Sequence, residues 1–146
     1  MKYKCEITID LPRQRVIELF DDPDNLPKWQ PGLESFELLS GEAGQPGARS
    51  RLLYNQSGRR LEMIETITRR NLPEEFSGIY EARGVKNWTA NRFYEEGPEK
   101  TRWVSENEFK FSGLMVLLGL FMRGVFPKQT LEFMQRFKEF AENEPG

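Results

Sequence analysis

The residues of this sequence that are best suited to chemistry are one carboxylate, Glu65, and one phenol, Tyr80, in neighbouring strand-like segments. A carboxyl group inside an apolar cavity has a raised pKa, so it can donate or accept a proton near neutral pH. A tyrosine hydroxyl donates a hydrogen bond that polarises a carbonyl group. Glu65 and Tyr80 are therefore the candidate catalytic residues, and three asparagines are candidates for orienting a substrate: Asn87, Asn91 and Asn107.

The sequence lacks the residues that most often carry nucleophilic or metal-dependent catalysis. It has no histidine, which removes the usual general base, the commonest metal ligand and every Ser–His or Cys–His pair. Cys5 is the only cysteine, so neither an intramolecular disulfide nor a cysteine-based metal site is expected. We expect no metal and no cofactor.

The charge distribution argues against a nucleic-acid partner. The net charge is -2, and the dense basic spots are the pairs Arg59-Arg60 and Arg69-Arg70. Both pairs flank a strand-like segment, so we interpret them as solvated strand ends. Charged residues near the first methionine interrupt any secretory signal, which makes a cytoplasmic location the expectation.

The first elements predicted are a strand and two short helices. Residues 3–10 alternate as a strand does, and Asp10 then predicts a helix cap with Pro12 in the first turn. A second short helix is predicted over residues 24–29. The buried stripe of the first helix consists of Val16, Leu19 and Phe20.

Six strands and a long helix complete the predicted order. The strands cover residues 33–40, 49–56, 60–69, 75–83, 85–95 and 100–111, and short turns between them indicate an antiparallel meander. The apolar residues 113–122 are too few to span a bilayer, which takes about 20, and their glycines predict a kinked segment. The helix after them has an apolar stripe of Thr130, Phe133, Met134, Phe137, Phe140 and Ala141.

These elements predict one α+β domain over residues 1–146, with a curved seven-stranded antiparallel sheet wrapped around the C-terminal helix. One helix cannot fill the concave face of such a sheet, so a cavity is expected. Side-chain alternation decides which residues face it, because charged residues mark the wet side of each strand. The predicted ligand-binding residues are Trp29, Met63, Glu65, Tyr80, Asn87, Thr89, Asn91, Trp103, Ser105, Asn107, Phe133 and Phe137.

Many of these inward residues are polar, which points to a wet cavity or to a ligand with polar groups. Burying such groups without partners costs about 1–3 kcal/mol each. The alternative is that they hydrogen-bond to one another or lie near strand ends. A β-bulge would turn Glu65 outward.

Several motifs resemble the START / polyketide cyclase–dehydrase superfamily, also called SRPBCC, which has the helix-grip fold. A strand leads to a proline-containing helix start, then to an Asp-Pro element and a Trp-x-Pro turn. The matching residues are Ile9 to Pro12, Val16, Leu19 to Pro23, Leu26 to Gly32, Gly44 to Gly47, Leu72-Pro73 and Lys100 to Arg102. The resemblance implies a cavity that binds a lipid, polyketide, sterol, isoprenoid or similar molecule, and it carries over no catalytic set.

Three functions remain open at this point. The first is a binding module, carrier or sensor without catalysis, which we favour. The second is a cyclase or dehydratase that uses Glu65 as acid or base. The third is a partner-binding or membrane-surface module without a small ligand, in which the segment from Leu114 to Phe126 is exposed. That segment is otherwise a lid or part of the core, and the chain is a monomer or a homodimer.

Overall fold

The computed structural model describes residues 1–145. The chain runs as β1 (Lys2–Ile9), α1 (Arg13–Phe20), a 3₁₀ turn (Pro23–Asn25), α2 (Leu26–Trp29), β2 (Leu33–Ser40), β3 (Arg49–Gln56), β4 (Arg59–Asn71), β5 (Glu75–Ala82), β6 (Val85–Gly97), β7 (Lys100–Phe111), α3 (Met115–Phe121) and α4 (Val125–Asn143). Three of the six strands predicted after the second helix have the predicted bounds, whereas β4 and β6 extend further and β5 ends one residue earlier.

All seven strands form one curved antiparallel sheet in the order β1-β7-β6-β5-β4-β3-β2. Short turns join β2 to β7 in sequence order, and β1 crosses over to pair with β7. The long helix α4 packs against β1. The predicted helix-grip fold is therefore confirmed.

The main core lies where α1, α2 and α4 meet β1, β6 and β7. In α4, Met134, Phe137 and Ala141 are buried at helical spacing, as the apolar stripe predicts. The other buried members of this core are Ile7, Ile9, Val16, Leu19, Trp29, Phe93 and Trp103. A smaller cluster, formed by Leu33, Leu52 and Tyr54, lies under the opposite edge of the sheet.

The predicted cap of α1 is wrong. Pro12, not Asp10, occupies the position before the first helical residue, and no side chain caps this helix. The backbone N–H of Asp10 instead donates to the Glu142 carboxylate at 2.7 Å, which ties the end of β1 to α4. Asp22 is the residue that caps, because its carboxylate accepts from the N–H of Asp24 at 3.0 Å in the 3₁₀ turn.

The apolar segment after β7 forms α3, which lies close to the end of that strand. Gly119 makes this approach feasible, because a Cβ there would come within 2.7 Å of the Phe111 ring. Gly84 has φ +75 in the β5–β6 turn, and a Cβ there would lie 2.6 Å from Met115. Both contacts hold α3 beside the sheet.

Candidate ligand-binding cavity

A cavity of about 700 Å³ lies between the inner face of the sheet and the helices α2, α3 and α4. Its volume is in the range of small-molecule sites, roughly 300–1,000 Å³. Most of its lining side chains are apolar, and they come from the sheet and from the helices. The terminal helix therefore spans the concave face without filling it.

Eleven of the twelve residues predicted from the sequence line this cavity. They are Trp29, Met63, Glu65, Tyr80, Asn87, Thr89, Asn91, Trp103, Ser105, Asn107 and Phe133. Side-chain alternation brings the members from the strands together, because paired antiparallel strands place opposed residues on the same face. That these residues contact a ligand stays a prediction.

Phe137 is the exception, because it lies in the core and not in the cavity wall. Its side chain is fully buried, with ring centroids 5.2 Å from Trp29 and 5.4 Å from Trp103. Phe20 joins this aromatic cluster at 6.0 Å from Phe137. The cluster closes one end of the concave face, and the cavity occupies the remainder.

Glu65 and Tyr80 lie opposite each other on β4 and β5, and the Tyr80 hydroxyl donates a 2.7 Å hydrogen bond to the Glu65 carboxylate. Burial raises the pKa of Glu65, and the Tyr80 hydrogen bond opposes part of that rise. Burial also raises the pKa of Tyr80, as does the neighbouring Glu65 charge. Glu65 forms no ion pair with any residue in 1–145. Its side-chain partner on the cavity wall is therefore the uncharged phenol of Tyr80.

The β-bulge that would have turned Glu65 outward lies beyond it, between Ile67 and Arg69. The bulge shifts the alternation of the strand by one residue, so Arg70 rather than Arg69 faces the cavity. The interpretation of Arg69-Arg70 as a solvated strand end is thus wrong for Arg70. Its guanidinium forms a bidentate pair with the Asp21 carboxylate at 2.6 and 2.5 Å on the cavity wall.

The polar residues of β6 and β7 form a hydrogen-bonded network along the cavity wall. The Thr89 hydroxyl lies 2.9 Å from the side-chain oxygens of Asn87 and Asn107, and the Asn107 amide donates to Ser105 at 2.9 Å. Because these groups bond to one another, their burial is compensated without a ligand.

Beside this network, the Trp103 indole N–H donates to the Asn91 side-chain oxygen at 2.9 Å. That bond fixes the orientation of the Asn91 amide, so its nitrogen faces away from Trp103. No residue in the described part of the chain accepts a hydrogen bond from this amide nitrogen. Asn91 therefore offers N–H donors to the cavity.

Sequence reasoning missed the contributions of β2, β3 and α3. On β3, Tyr54 lines the cavity and donates a 2.6 Å hydrogen bond to Gln30, and burial raises the pKa of this phenol. The arginines at positions 49 and 51 mark the wet face of β3, a signal that would have found Tyr54. The other missed lining residues include Phe36, Leu38, Leu52, Met115, Leu118 and Met122.

Within residues 1–145, no group of three or more His, Cys, Asp or Glu side chains is arranged to hold a metal ion. In the same residues, no helix combines the length and the apolar character that crossing a bilayer requires.

Comparison with known proteins agrees with this geometry. The profile of the family described as polyketide cyclase / dehydrase and lipid transport matches residues 2–142. No curated protein matches the sequence. Several solved structures share the fold at low sequence identity.

Among them, the Zhui aromatase/cyclase from Streptomyces sp. R1128 superposes with a TM-score of 0.82 at 15% identity, over 97% of this chain and 93% of that one. The protein TTHA0849 from Thermus thermophilus has a TM-score of 0.76 at 19% identity, over 97% of both chains. A START superfamily protein from Mycobacterium smegmatis has a TM-score of 0.76 at 13% identity, also over 97% of both chains.

Proposed function

Because this chain belongs to the polyketide cyclase/dehydrase and lipid transport family, we propose that it binds an uncharged, oxygen-bearing apolar molecule in the cavity under α4. The observation that carries the proposal is the cavity itself. It has a volume of about 700 Å³ and a mainly apolar wall with a strip of amide and hydroxyl groups. Burying the apolar surface of a ligand against such a wall is favourable, and a few polar groups at fixed positions set the orientation of the ligand.

The charges of the cavity favour a ligand without a negative charge. Its charged lining residues are Asp21, Arg70 and Glu65. Asp21 and Arg70 neutralise each other through their bidentate pair, and Glu65 has no cationic partner among residues 1–145. A ligand carboxylate or phosphate would therefore lose its water without gaining a counter-charge, which is strongly unfavourable.

The polar strip favours ligand oxygens that accept hydrogen bonds. The Asn91 amide nitrogen is free to donate, and the Ser105 hydroxyl, which accepts from Asn107, keeps its own proton available. Because hydrogen bonds from Trp103 and Asn107 hold these two groups in place, a ligand carbonyl or hydroxyl meets them at little ordering cost.

Ligand binding is tested by comparing neutral and anionic probes of similar size. A polycyclic phenol or quinone is expected to quench the fluorescence of Trp29 and Trp103, which line the cavity, whereas a long-chain fatty acid is expected to bind at least about ten-fold more weakly, or 1.4 kcal/mol. Native mass spectrometry of protein from its own host identifies any ligand that co-purifies. Equal affinity for both probes contradicts the assignment of a neutral ligand.

Substitutions at two matched alanines test whether the probe binds in the cavity. Ala82 lines it, and Ala90 lies on β6 at a position of opposite alternation, outside the lining. Ala82→Phe narrows the cavity and is expected to weaken probe binding at least about ten-fold, whereas Ala90→Phe leaves it within about two-fold. Loss of binding in both variants, or in neither, rules out this cavity as the site.

A second candidate function is a cyclase or dehydratase, and the isolated Glu65–Tyr80 pair favours it. Ionised Glu65 would take a proton from a carbon beside a carbonyl, and the electron pair of that C–H bond would form a bond to a second carbonyl carbon. The resulting alkoxide would take that proton back from Glu65 and become a hydroxyl group. Glu65 would then take the second proton of the same carbon, the electron pair of that C–H bond would form a C=C bond, and the hydroxyl group would leave with that proton as water. Tyr80, released from Glu65 once that carboxyl is protonated, would donate its hydrogen bond to the substrate carbonyl.

The enzyme candidate is tested with a linear poly-β-ketone as substrate and mass spectrometry of the dehydrated product. Glu65→Gln is expected to lower the rate by about 100-fold or more while probe binding persists, and Tyr80→Phe is expected to lower it by less. Glu62→Gln, on the outer face of the same strand, is the control. If the wild-type protein binds the neutral probe but does not convert the poly-β-ketone, the enzyme candidate is eliminated and the binding proposal stands.

A further inference from the structure

The outer face of α3 is apolar and uncovered. Leu114 and Phe121 are 90% and 86% exposed, and Leu117 and Leu120 are 62% and 60% exposed, although none of them lines the cavity. The opposite face of the same segment does line it, through Met115, Leu118 and Met122. A helix that is apolar all round normally lies inside a protein or in lipid, yet nothing in residues 1–145 covers this outer face.

The charged residues of the segment around this helix, residues 109–131, are all positive. From residue 109 to residue 131 the sequence contains Lys110, Arg123 and Lys128 but no Asp or Glu, although the net charge of the chain is -2. All three side chains are exposed. None of them forms an ion pair with another described residue. Free cations next to an apolar face are complementary to anionic lipid headgroups.

The β5–β6 turn adds to this charge at the start of α3. Gly84 in this turn lies against Met115, which places Arg83 next to the helix, and Lys86 is opposite Lys110 in the β6–β7 register. Glu81 is opposite Lys86 in the β5–β6 register. This margin is therefore less strongly positive than the one formed by Arg123 and Lys128.

The exposed face continues into the wall of the cavity. Leu118 and Val125 line the cavity, and each is 45% exposed. An apolar molecule that leaves the cavity here would pass along apolar side chains throughout. Exchange into a bilayer would then avoid exposing that molecule to water, which costs about 25 cal/mol per Å² of apolar surface.

We infer that the α3 surface, meaning Leu114, Leu117, Leu120 and Phe121 with the flanking Arg123 and Lys128, docks onto a lipid bilayer that carries anionic headgroups. The docked chain would present the α3 end of its cavity to the membrane. Docking itself is independent of the proposed ligand, because the α3 surface lies outside the cavity.

Size and charge favour a bilayer over a protein partner. The helix α3 has seven residues, whereas a stable protein interface takes roughly 20–30 residues from each partner. A symmetric contact with a second copy would also bring together two surfaces that each carry the positive charges of Arg123 and Lys128. Insertion of an apolar helix face into the interfacial region of a bilayer needs no matching partner shape.

The test is co-sedimentation of the full chain with vesicles of phosphatidylcholine alone or of phosphatidylcholine mixed with phosphatidylserine. Stronger binding to the mixed vesicles is expected, and added salt is expected to weaken it. Combining Leu117→Asp with Phe121→Asp is expected to lower the partition coefficient at least about ten-fold. Arg123→Glu and Lys128→Glu are each expected to lower it roughly five-fold or more, on the mixed vesicles only.

Two controls match these changes elsewhere on the surface. Leu39 on β2 is 38% exposed, so Leu39→Asp matches the apolar changes. Lys100 begins β7, whereas α3 follows its last residue, so Lys100→Glu matches the charge changes. Circular dichroism verifies that every variant folds. Equal losses in the controls, or no loss in the α3 variants, overturn the proposal.

Two further measurements separate this proposal from its alternatives. If the wild-type chain is a dimer in solution and the α3 double variant is a monomer, the α3 surface is a contact between copies and the bilayer proposal is wrong. Probe binding in the cavity, measured on the same variants, reports the proposed function independently. The two sites are separate if the α3 variants still bind the probe and Ala82→Phe still binds vesicles.

Discussion

Tyr80 donates a 2.7 Å hydrogen bond to Glu65 across the β4–β5 pair, and this bond is the contact that opposes the effect of burial on the Glu65 pKa. The pKa values of the two groups lie far apart in water, and burial raises both of them. Its position on the cavity wall makes Glu65 the residue whose protonation state a ligand would sense.

The raised pKa of Glu65 predicts a specific pH dependence of stability. Because the folded value lies above the ordinary glutamate value of 4.5, the protonated form is favoured by folding. Wild-type stability, relative to Glu65→Gln, is therefore highest below the ordinary value and falls as pH rises through the folded pKa. Urea unfolding of both proteins from acid to neutral pH measures this difference. A flat difference across that range contradicts the pKa shift, and Glu62→Gln is the control for an exposed carboxylate.

Phe137 and Phe133 lie on adjacent turns of one helix but have different roles, and paired alanine variants distinguish them. Phe137→Ala removes a fully buried ring from the aromatic cluster, so a loss of about 3–5 kcal/mol in unfolding free energy is expected. Phe133→Ala enlarges a cavity that already exists, so it is expected to cost clearly less while weakening probe binding. Denaturant unfolding with a probe titration checks both, and a larger stability loss at Phe133 would reverse the assignment.

The Arg70–Asp21 pair connects the end of β4 to the end of α1, and we expect it to stabilise the cavity wall. Both side chains are partly exposed, so a double-mutant cycle with Arg70→Ala and Asp21→Asn should give a coupling energy of about 1 kcal/mol. A matched cycle with Arg69→Ala and Glu75→Gln is the control, since Arg69 is more exposed and reaches Glu75 only at 3.6 Å. Coupling as weak as at Arg69 would show that the bidentate pair does not hold the wall.

Gly119 holds α3 against β7, and two glycine-to-alanine variants test this. Alanine favours a helix by about 1 kcal/mol over glycine, but at position 119 its Cβ would lie 2.7 Å from the Phe111 ring. We expect the clash to dominate and Gly119→Ala to lower the unfolding free energy by about 1 kcal/mol or more. Gly124→Ala meets no atom within 4 Å, so thermal unfolding should change little. Stabilisation by Gly119→Ala would show that α3 moves freely.

The alternation of residues along each strand was enough to predict which side chains face inward. It placed Glu65, Tyr80, Asn91 and Asn107 on one face before the pairing of strands was known, because a strand has a side-chain period of two. The rule failed beyond Ile67, where a bulge shifts the alternation and turns Arg70 toward the cavity. A bulge depends on pairing with the neighbouring strand, and local residue types do not reveal it.

For this protein, the sequence by itself determined the order of elements, the inward faces of the strands and the membership of a helix-grip family. The order of elements and the inward faces follow from local periodicity and turn residues, which act over a few positions, whereas the family follows from the resemblance of its motifs. Only the tertiary structure decided that Phe137 fills the core while Phe133 borders open space, that Tyr80 is the partner of Glu65, and that the outer face of α3 stays uncovered. Each of those outcomes depends on how the curved sheet packs against helices that are distant from most of its strands in sequence. No local pattern specifies the distance between them.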